Sequence, residues 1–374
     1  MVTRRLLIVL DDCGPGDALA VDFCLEAILR GHPGAEADLL VSEQAAPVFA
    51  RDRRFGRVLI SSLYQQRARS RPVLALRKAR EAWRLARRLG RRYDLSVTFY
   101  WGTTLLNLLA RVATRGRCLG YANAWPSLLD CDLGRYRPEG AALPQAARLL
   151  ATMGLEAEPA VPAARAEEGD DRQAVALLES HGLGLGRRMA VLHTGSDWAC
   201  QQWLPERWGE TADRLAFELG MDVVFTGVRA EEGAIEAIRG QMRARSASLA
   251  GMTSVTQLAG VLRRAALCVC VDSLAFELAQ AAGVPTVVLA GQSRTEVIAV
   301  GRVAPTVVNR TTPELRSAIL ACKLSFAKAS FGGCLHYGCP MAGLRDIEVD
   351  DVMEAVRKAA LDRNAALKSG GLSA

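Results

Sequence analysis

Three short stretches put small and polar residues where an apolar run gives way to a helical pattern. The first is Gly14-Pro15-Gly16-Asp17, behind the run Leu6–Leu10. Gly14 and Gly16 let the backbone approach a ligand closely. Asp17 reads in two ways, as a base that takes a proton from an attacking hydroxyl or as a helix cap. The second runs from His193 to Trp208, and its Thr194, Gly195 and Ser196 offer backbone N–H groups suited to a diphosphate. The other reading of this stretch is an ordinary strand–helix loop whose tryptophans serve as packing. The third is Asp272-Ser273-Leu274-Ala275, where a buried strand opens into a helix, a geometry that suits phosphate. Glu277, one turn further, is either a solvated helix residue or a ligand to a ribose or sugar hydroxyl.

A fourth group, Cys322, Cys334, His336 and Cys339, leaves three outcomes open: a packed cluster of reduced thiols, a tetrahedral metal site or a disulfide. No C-x-x-C pair is present, and no metal is expected. G-x-G-x-x-G, the Walker A pattern, H-E-x-x-H and G-x-S-x-G are all missing, so the chemistry tied to those motifs lacks its residues.

The elements that must hold these residues alternate. Leu6–Leu10, Ala37–Val41, Val58–Ile60 and Leu95–Tyr100 read as strands, with helices at Ala18–Leu29, Val73–Arg92 and Thr103–Val112. In the Val73–Arg92 helix, Leu76, Ala79, Trp83, Ala86 and Leu89 form the expected apolar stripe, and arginines fill most other positions. Glu156–Asp171, rich in Pro, Gly and acids, reads as a linker. The pattern then restarts with strands at Met189–His193, Asp222–Phe225, Leu267–Val271 and Thr286–Leu289. Helices are expected at Pro205–Leu219, Glu231–Arg243, Val255–Arg264, Ser273–Ala282 and Val349–Leu361. This is an α/β chain of two doubly wound, Rossmann-like domains, 1–165 and 166–345, with a helix and tail over 346–374. A ligand is expected in a cleft between the halves, at the carboxyl ends of the strands.

Composition narrows the classes. The 374 residues are 50% hydrophobic and 23% charged, which excludes general disorder. The five-residue N-terminal apolar run is too short for an export signal, and no run is long enough to span a membrane. Ten cysteines without an export signal suggest reduced thiols in a cytoplasm. The net charge is +7, but Arg51–Arg117 alone holds 18 Lys and Arg against Asp52, Glu81 and Asp94. Such a block suggests an anionic partner: a phosphorylated molecule, a membrane surface or nucleic acid. With the charge confined to one half and no helix-turn-helix or aromatic-rich RNA motif, nucleic acid is not expected. A solvated helix face is the bland reading of the same arginines.

Taken together, the motifs resemble glycosyltransferase family 9, the ADP-heptose:lipopolysaccharide heptosyltransferases. The resemblance spans about residues 4–360. It rests on the Gly-x-Gly-Asp turn, Gly195–Trp208, Thr226-Gly227 with Glu231, and Leu249–Ser254. Asp272-Ser273 through Gly283-Val284-Pro285, and Cys339-Pro340-Met341, complete it. It implies a GT-B fold whose last helix crosses back to the first domain. It also implies inverting, metal-free transfer from an ADP-sugar with no cofactor. By the same resemblance, Asp17 is the general base and Thr194, Gly195 and Ser196 form the diphosphate loop. Glu231, or its neighbour Glu232, lies near the ribose, Met252 and Thr253 flank adenine, and Asp272–Ala275 lie under the diphosphate.

Three positions depart from the family pattern: Gln201 stands for a lysine, Leu274 for a glycine and Glu277 for a histidine. A neutral Gln201 cannot support a leaving diphosphate as a lysine would, a charge-assisted contact worth about 1.5–3 kcal/mol. Arg294 is the expected replacement and Arg229 the second choice. The expected acceptor is anionic, either a soluble natural-product or nucleotide-type molecule or a lipopolysaccharide core. The latter brings peripheral contact with the inner membrane face through 51–117. The alternatives are a degenerate member that only binds, or a sugar-nucleotide epimerase of the same shape.

Overall fold

The computed structural model describes residues 3–11, 13–63, 71–99, 103–121, 125–134, 142–157, 168–184, 186–196, 199–291, 303–328 and 343–368. The chain divides into two units. One comprises Met1–Ala160 with Leu324–Gly332, and the other Val161–Lys323 with Gly333–Ala374.

In the first, β1 (Arg5–Leu10), α1 (Pro15–Ala20), α2 (Asp22–Gly31), β2 (Glu36–Ser42) and β3 (Arg57–Ser61) are followed by α3 (Arg71–Leu89) and β4 (Tyr93–Thr98). Then come α4 (Thr104–Ala113), β5 (Thr114–Gly120), β6 (Cys131–Asp132) and α5 (Ala142–Ala151). The strands form one parallel sheet in the order β3-β2-β1-β4-β5-β6. The second unit contains α6 (Glu168–Ser180), β7 (Met189–His193), α7 (Pro205–Leu219), β8 (Asp222–Thr226), α8 (Glu232–Arg239), β9 (Ser246–Ser248) and α9 (Val255–Arg263). It continues with β10 (Leu267–Val271), α10 (Leu274–Ala282), β11 (Thr286–Leu289), β12 (Thr306–Val308), α11 (Pro313–Lys328), whose residues from Leu324 onward count with the first unit, and α12 (Val349–Lys368). Its sheet, β12-β11-β10-β7-β8-β9, repeats the same winding. In each unit the chain moves outward over three strands, then returns to the far side of the first. That leaves one switch point, β1 beside β4 and β7 beside β10, where neighbouring loops diverge.

Leu6–Leu10, Met189–His193 and Leu267–Val271 are buried throughout, as continuous apolar runs in a helix-covered parallel sheet must be. The expected single helix Ala18–Leu29 is broken at Val21, where ψ is 9°, into α1 and α2. The Glu231–Arg243 helix stops at Arg239, ahead of Gly240. β5 carries no apolar alternation, and its Gly116 faces Asp94 so closely that a Cβ would lie 1.9 Å from the Asp94 carbonyl oxygen.

The stripe expected on α3 is wrong in part. Ala82, Leu85 and Leu89 face the core, with Glu81 buried beside them. Leu76 is 72% and Trp83 62% exposed, on the opposite side. Both faces of this helix carry apolar residues, and spacing alone chose the outer one.

Val349, Val352, Met353, Val356 and Ala359 of the last helix pack into the core of the second unit. Leu344 and Ile347, just ahead of it, join that core. Trp203 and Trp208 pack edge to face at 5.2 Å within the same core. The Trp203 indole N–H donates to the Ile347 carbonyl at 3.0 Å, and Arg207 donates to the same carbonyl at 2.6 Å. The motif's tryptophans are therefore packing residues, and they pin the start of α7. No helix among the described residues is long and apolar enough to cross a membrane.

Candidate active site

In the second unit the loops after β7 and β10 meet at the switch point, where the Gln201 side chain bridges them. Gln201, 6% exposed, accepts from Ser196 Oγ at 3.0 Å through its carbonyl oxygen. Its Nε2 donates to Asp272 Oδ2 at 3.2 Å. The Gln202 amide adds a contact to the Ser196 carbonyl at 3.3 Å. Ser196, Gln201 and Asp272 thus form one chain across the end of the sheet. His193, which ends β7, is buried with Nδ1 3.0 Å from Thr226 Oγ1. Burial lowers its pKa to about 4, so the ring is neutral at physiological pH.

Gly195 leaves room here for a neighbouring carboxylate. The Glu231 carboxylate, which accepts from the Val228 N–H at 2.8 Å, lies where a side chain at 195 would go. A Cβ at Gly195 would be 1.8 Å from Glu231 Oε1, and one at Gly227 would be 2.5 Å from Oε2. Gly251, at φ +68°, donates to the Gly227 carbonyl at 2.9 Å, and its missing Cβ would strike Arg229 Cα at 2.9 Å. Three loops are therefore locked together through glycines.

Glu231 and Glu232 part company. The first turns to Gly195, while the second lines an open recess with His181, Glu236, Arg239, Ser248 and the half-exposed Met252. Thr253 is half-buried beside it. Ser273 caps α10 and its hydroxyl donates to the Val271 carbonyl at 3.2 Å. Leu274 is half-buried and Ala275 buried in the first turn. Glu277 is not a solvated residue, being only 5% exposed. The Cys270 thiol is held well above its ordinary range by its hydrogen bond with Cys268 and by burial, then by the negative potentials of Asp272 and Glu277. Arg294 lies outside the described residues, as do Cys334, His336 and Cys339, while Cys322 sits in α11. Arg229 is exposed. Among the described residues no three His, Cys, Asp or Glu side chains are grouped to hold a metal.

In the first unit Gly14, rather than Asp17, is the N-cap of α1, and Gly16 is half-buried in its first turn. Asp17 is exposed, and its Oδ2 accepts from the Gly14 N–H at 3.3 Å. The turn is held behind β1 by Cys13, whose thiol donates to the Leu10 carbonyl at 3.1 Å, and by Ser42 Oγ, which donates to the Cys13 carbonyl at 3.0 Å.

Asp11 was missed by sequence reasoning, because an acid that ends an apolar run looks like an ordinary turn residue. It is 1% exposed, and neither oxygen closes a hydrogen bond of normal geometry, although the Ser61 hydroxyl lies beside it. Burial pushes its pKa up to about 7; Ser61 and Lys78 pull it down, while Glu81 adds to the rise.

The family model described as glycosyltransferase family 9 (heptosyltransferase) matches residues 82–326. Among solved structures, the chain is similar to a family 9 glycosyl transferase from Veillonella parvula, at 17% identity and a TM-score of 0.75, covering 96% of this chain and 98% of that one. It is also similar to the E. coli ADP-heptose lps heptosyltransferase II, at 17% identity, a TM-score of 0.66 and coverage of 96% and 99%. The E. coli heptosyltransferase WaaC, solved with ADP, gives 17%, 0.62, and 96% and 98%. A comparison with curated proteins gives no match. The two parallel six-stranded sheets with flanking helices are the α/β arrangement of the GT-B-like fold of these structures.

Gly195→Ala is expected to cost about 1–3 kcal/mol by displacing the Glu231 carboxylate. Glu231→Ala added to it should return most of that loss, a coupling read from urea unfolding of the two single variants and the double. Asp11 gives a separate test. The folded state holds its proton up to about pH 7, whereas the unfolded chain releases it near about pH 4, so this residue lowers stability as pH rises between those values. Asp11→Asn should match the wild type near about pH 4 and gain on it toward about pH 8, by about 4 kcal/mol at most. Urea unfolding across that range measures the gap.

Proposed function

The chain belongs to glycosyltransferase family 9, and from that premise we propose that it moves a heptose or related sugar from an ADP-sugar to an anionic acceptor, with inversion and without a metal or cofactor. The observation that carries this reading is the Ser196–Gln201–Asp272 chain, with Gly195 and Glu231, at the switch point of the second sheet. Small residues and backbone N–H groups at this place suit a diphosphate, and Glu231 suits a ribose hydroxyl. Met252 and Thr253 would flank the base. That one structural neighbour was solved with ADP supports the choice of nucleotide.

The reaction asks for one bond made and one broken. The acceptor hydroxyl attacks the anomeric carbon as its bond to the diphosphate oxygen breaks, and ADP leaves with the bonding pair. The acceptor's proton goes to the Asp17 carboxylate, which is exposed and so open to such a hydroxyl. The leaving diphosphate needs positive charge. Gln201 has none, and its amide is already spent on Ser196 and Asp272. Arg294 takes that role in this reading. The basic block Arg51–Arg117 would draw in an acceptor bearing phosphates or carboxylates. The protein would work in the cytoplasm, with peripheral contact at a membrane where the acceptor is a lipid.

A second reading, a member that binds the nucleotide without transfer, is favoured by the neutral Gln201 alone. Mass spectrometry of reactions containing ADP-heptose and a panel of phosphorylated and lipid acceptors separates the two, because only the first predicts a heptosylated product. Asp17→Asn should lower turnover by about 10²–10⁴-fold while ADP still raises the melting temperature as it does for the wild type. Arg294→Ala should lower turnover by about 10–150-fold, the equivalent of a lost charge-assisted contact. Unchanged turnover in either variant would remove that residue from the mechanism.

A further inference from the structure

We propose that the outward face of α3 and α4 docks the protein on an anionic lipid bilayer. This deepens the membrane part of the function proposed above and shares nothing with its donor part. A helix on a sheet needs one apolar stripe, and α3 has that stripe in Ala82, Leu85 and Leu89. It carries a second on its far side. Val73, Leu76 and Trp83 are all exposed, and Arg80 and Arg87 fall on the same side by helical spacing. α4 packs into the same core through Leu106, Leu109 and Ala113 and turns Leu108 and Val112 to solvent. The outer surface of this two-helix layer therefore presents five large apolar side chains, which water alone does not favour.

The charge around them selects the occupant. α3 holds seven Lys and Arg and one acid, Glu81, and Arg84 is paired to that acid. The Arg87 guanidinium lies over the Trp83 ring, 4.7 Å from its centroid. An indole with a cation on its face suits the boundary between headgroups and acyl chains, where the ring meets carbon and the guanidinium meets phosphate. At 19 residues α3 is about 28 Å long, enough to lie along such a surface. Arginines alone would fit any polyanion. Leu76, Trp83, Leu108 and Val112 have no partner on a nucleic-acid backbone, whereas acyl chains accept them, and this favours the bilayer.

The test is co-sedimentation of the full chain with vesicles, with no sugar donor or acceptor present, so its outcome is independent of transfer. The protein should sediment with phosphatidylglycerol–phosphatidylethanolamine vesicles and stay in solution with pure phosphatidylcholine. The double variant Leu76→Ser/Trp83→Ala should lower the partition coefficient by about tenfold or more, and Arg80→Gln/Arg87→Gln should lower it and flatten its salt dependence. Unaltered circular dichroism and melting temperature would show that these exposed substitutions leave the fold intact. The proposal fails if the wild type ignores phosphatidylglycerol vesicles at about 0.15 M salt. It fails equally if both double variants bind as the wild type does, or if a DNA duplex is bound and the vesicles are not.

Discussion

One neutral amide spans the place where the second sheet reverses its direction of winding. β7 and β10 are neighbours in space, yet the chain visits β8 and β9 between them, so their loops have no covalent reason to stay together. Gln201 ties them by hydrogen bonds instead, holding Ser196 with its oxygen and Asp272 with its nitrogen. An amide can do both because it is donor and acceptor at once; an ammonium has only donors to offer. A lysine would hold Asp272 but could accept nothing from the Ser196 hydroxyl. A lysine would, however, bring a positive charge to this place, which the amide does not. Loop order and electrostatics are thus set against each other at a single position.

The two sheets share a winding and also a treatment of charge. Asp11 follows β1 and His193 ends β7, the first strand of each sheet. Burial drives the carboxyl up to about 7 and the imidazole down to about 4. Opposite shifts have one cause, since low polarity disfavours whichever form is charged. Around the second of these ends, close-packed glycines work together with hydrogen bonds. Gly195 and Gly227 are small because Glu231 occupies the volume beside them, and Gly251 because the backbone of Arg229 does.

Much of this was legible in the sequence, for a physical reason. Strands buried on both faces must be continuous apolar runs, so β1, β7 and β10 announce themselves, and the polar loops behind them follow. Gly195, Ser196, Gln201, Glu231 and Asp272 do gather. Where two physical demands overlap, the sequence misleads. α3 is apolar on both sides, so its spacing pointed to Leu76 and Trp83 instead of Leu85. β5 lies among arginines and is shaped by the close approach of Gly116 to Asp94, which no alternation encodes. Glu277 stayed open between a solvated residue and a ligand, because burial of an acid needs neighbours that a linear pattern does not reveal. Asp11 was hidden by the same limit.

The segment that closes the second core lies far along the chain from the strands it covers. Leu344, Ile347 and the first turns of α12 complete the packing around Trp203 and Trp208. On a ribosome, Met189–His193 emerges long before the residues that will cover it. The second unit must therefore wait, with apolar surface uncovered, until Leu344–Ala359 has emerged, and over that interval it is the natural client of a chaperone.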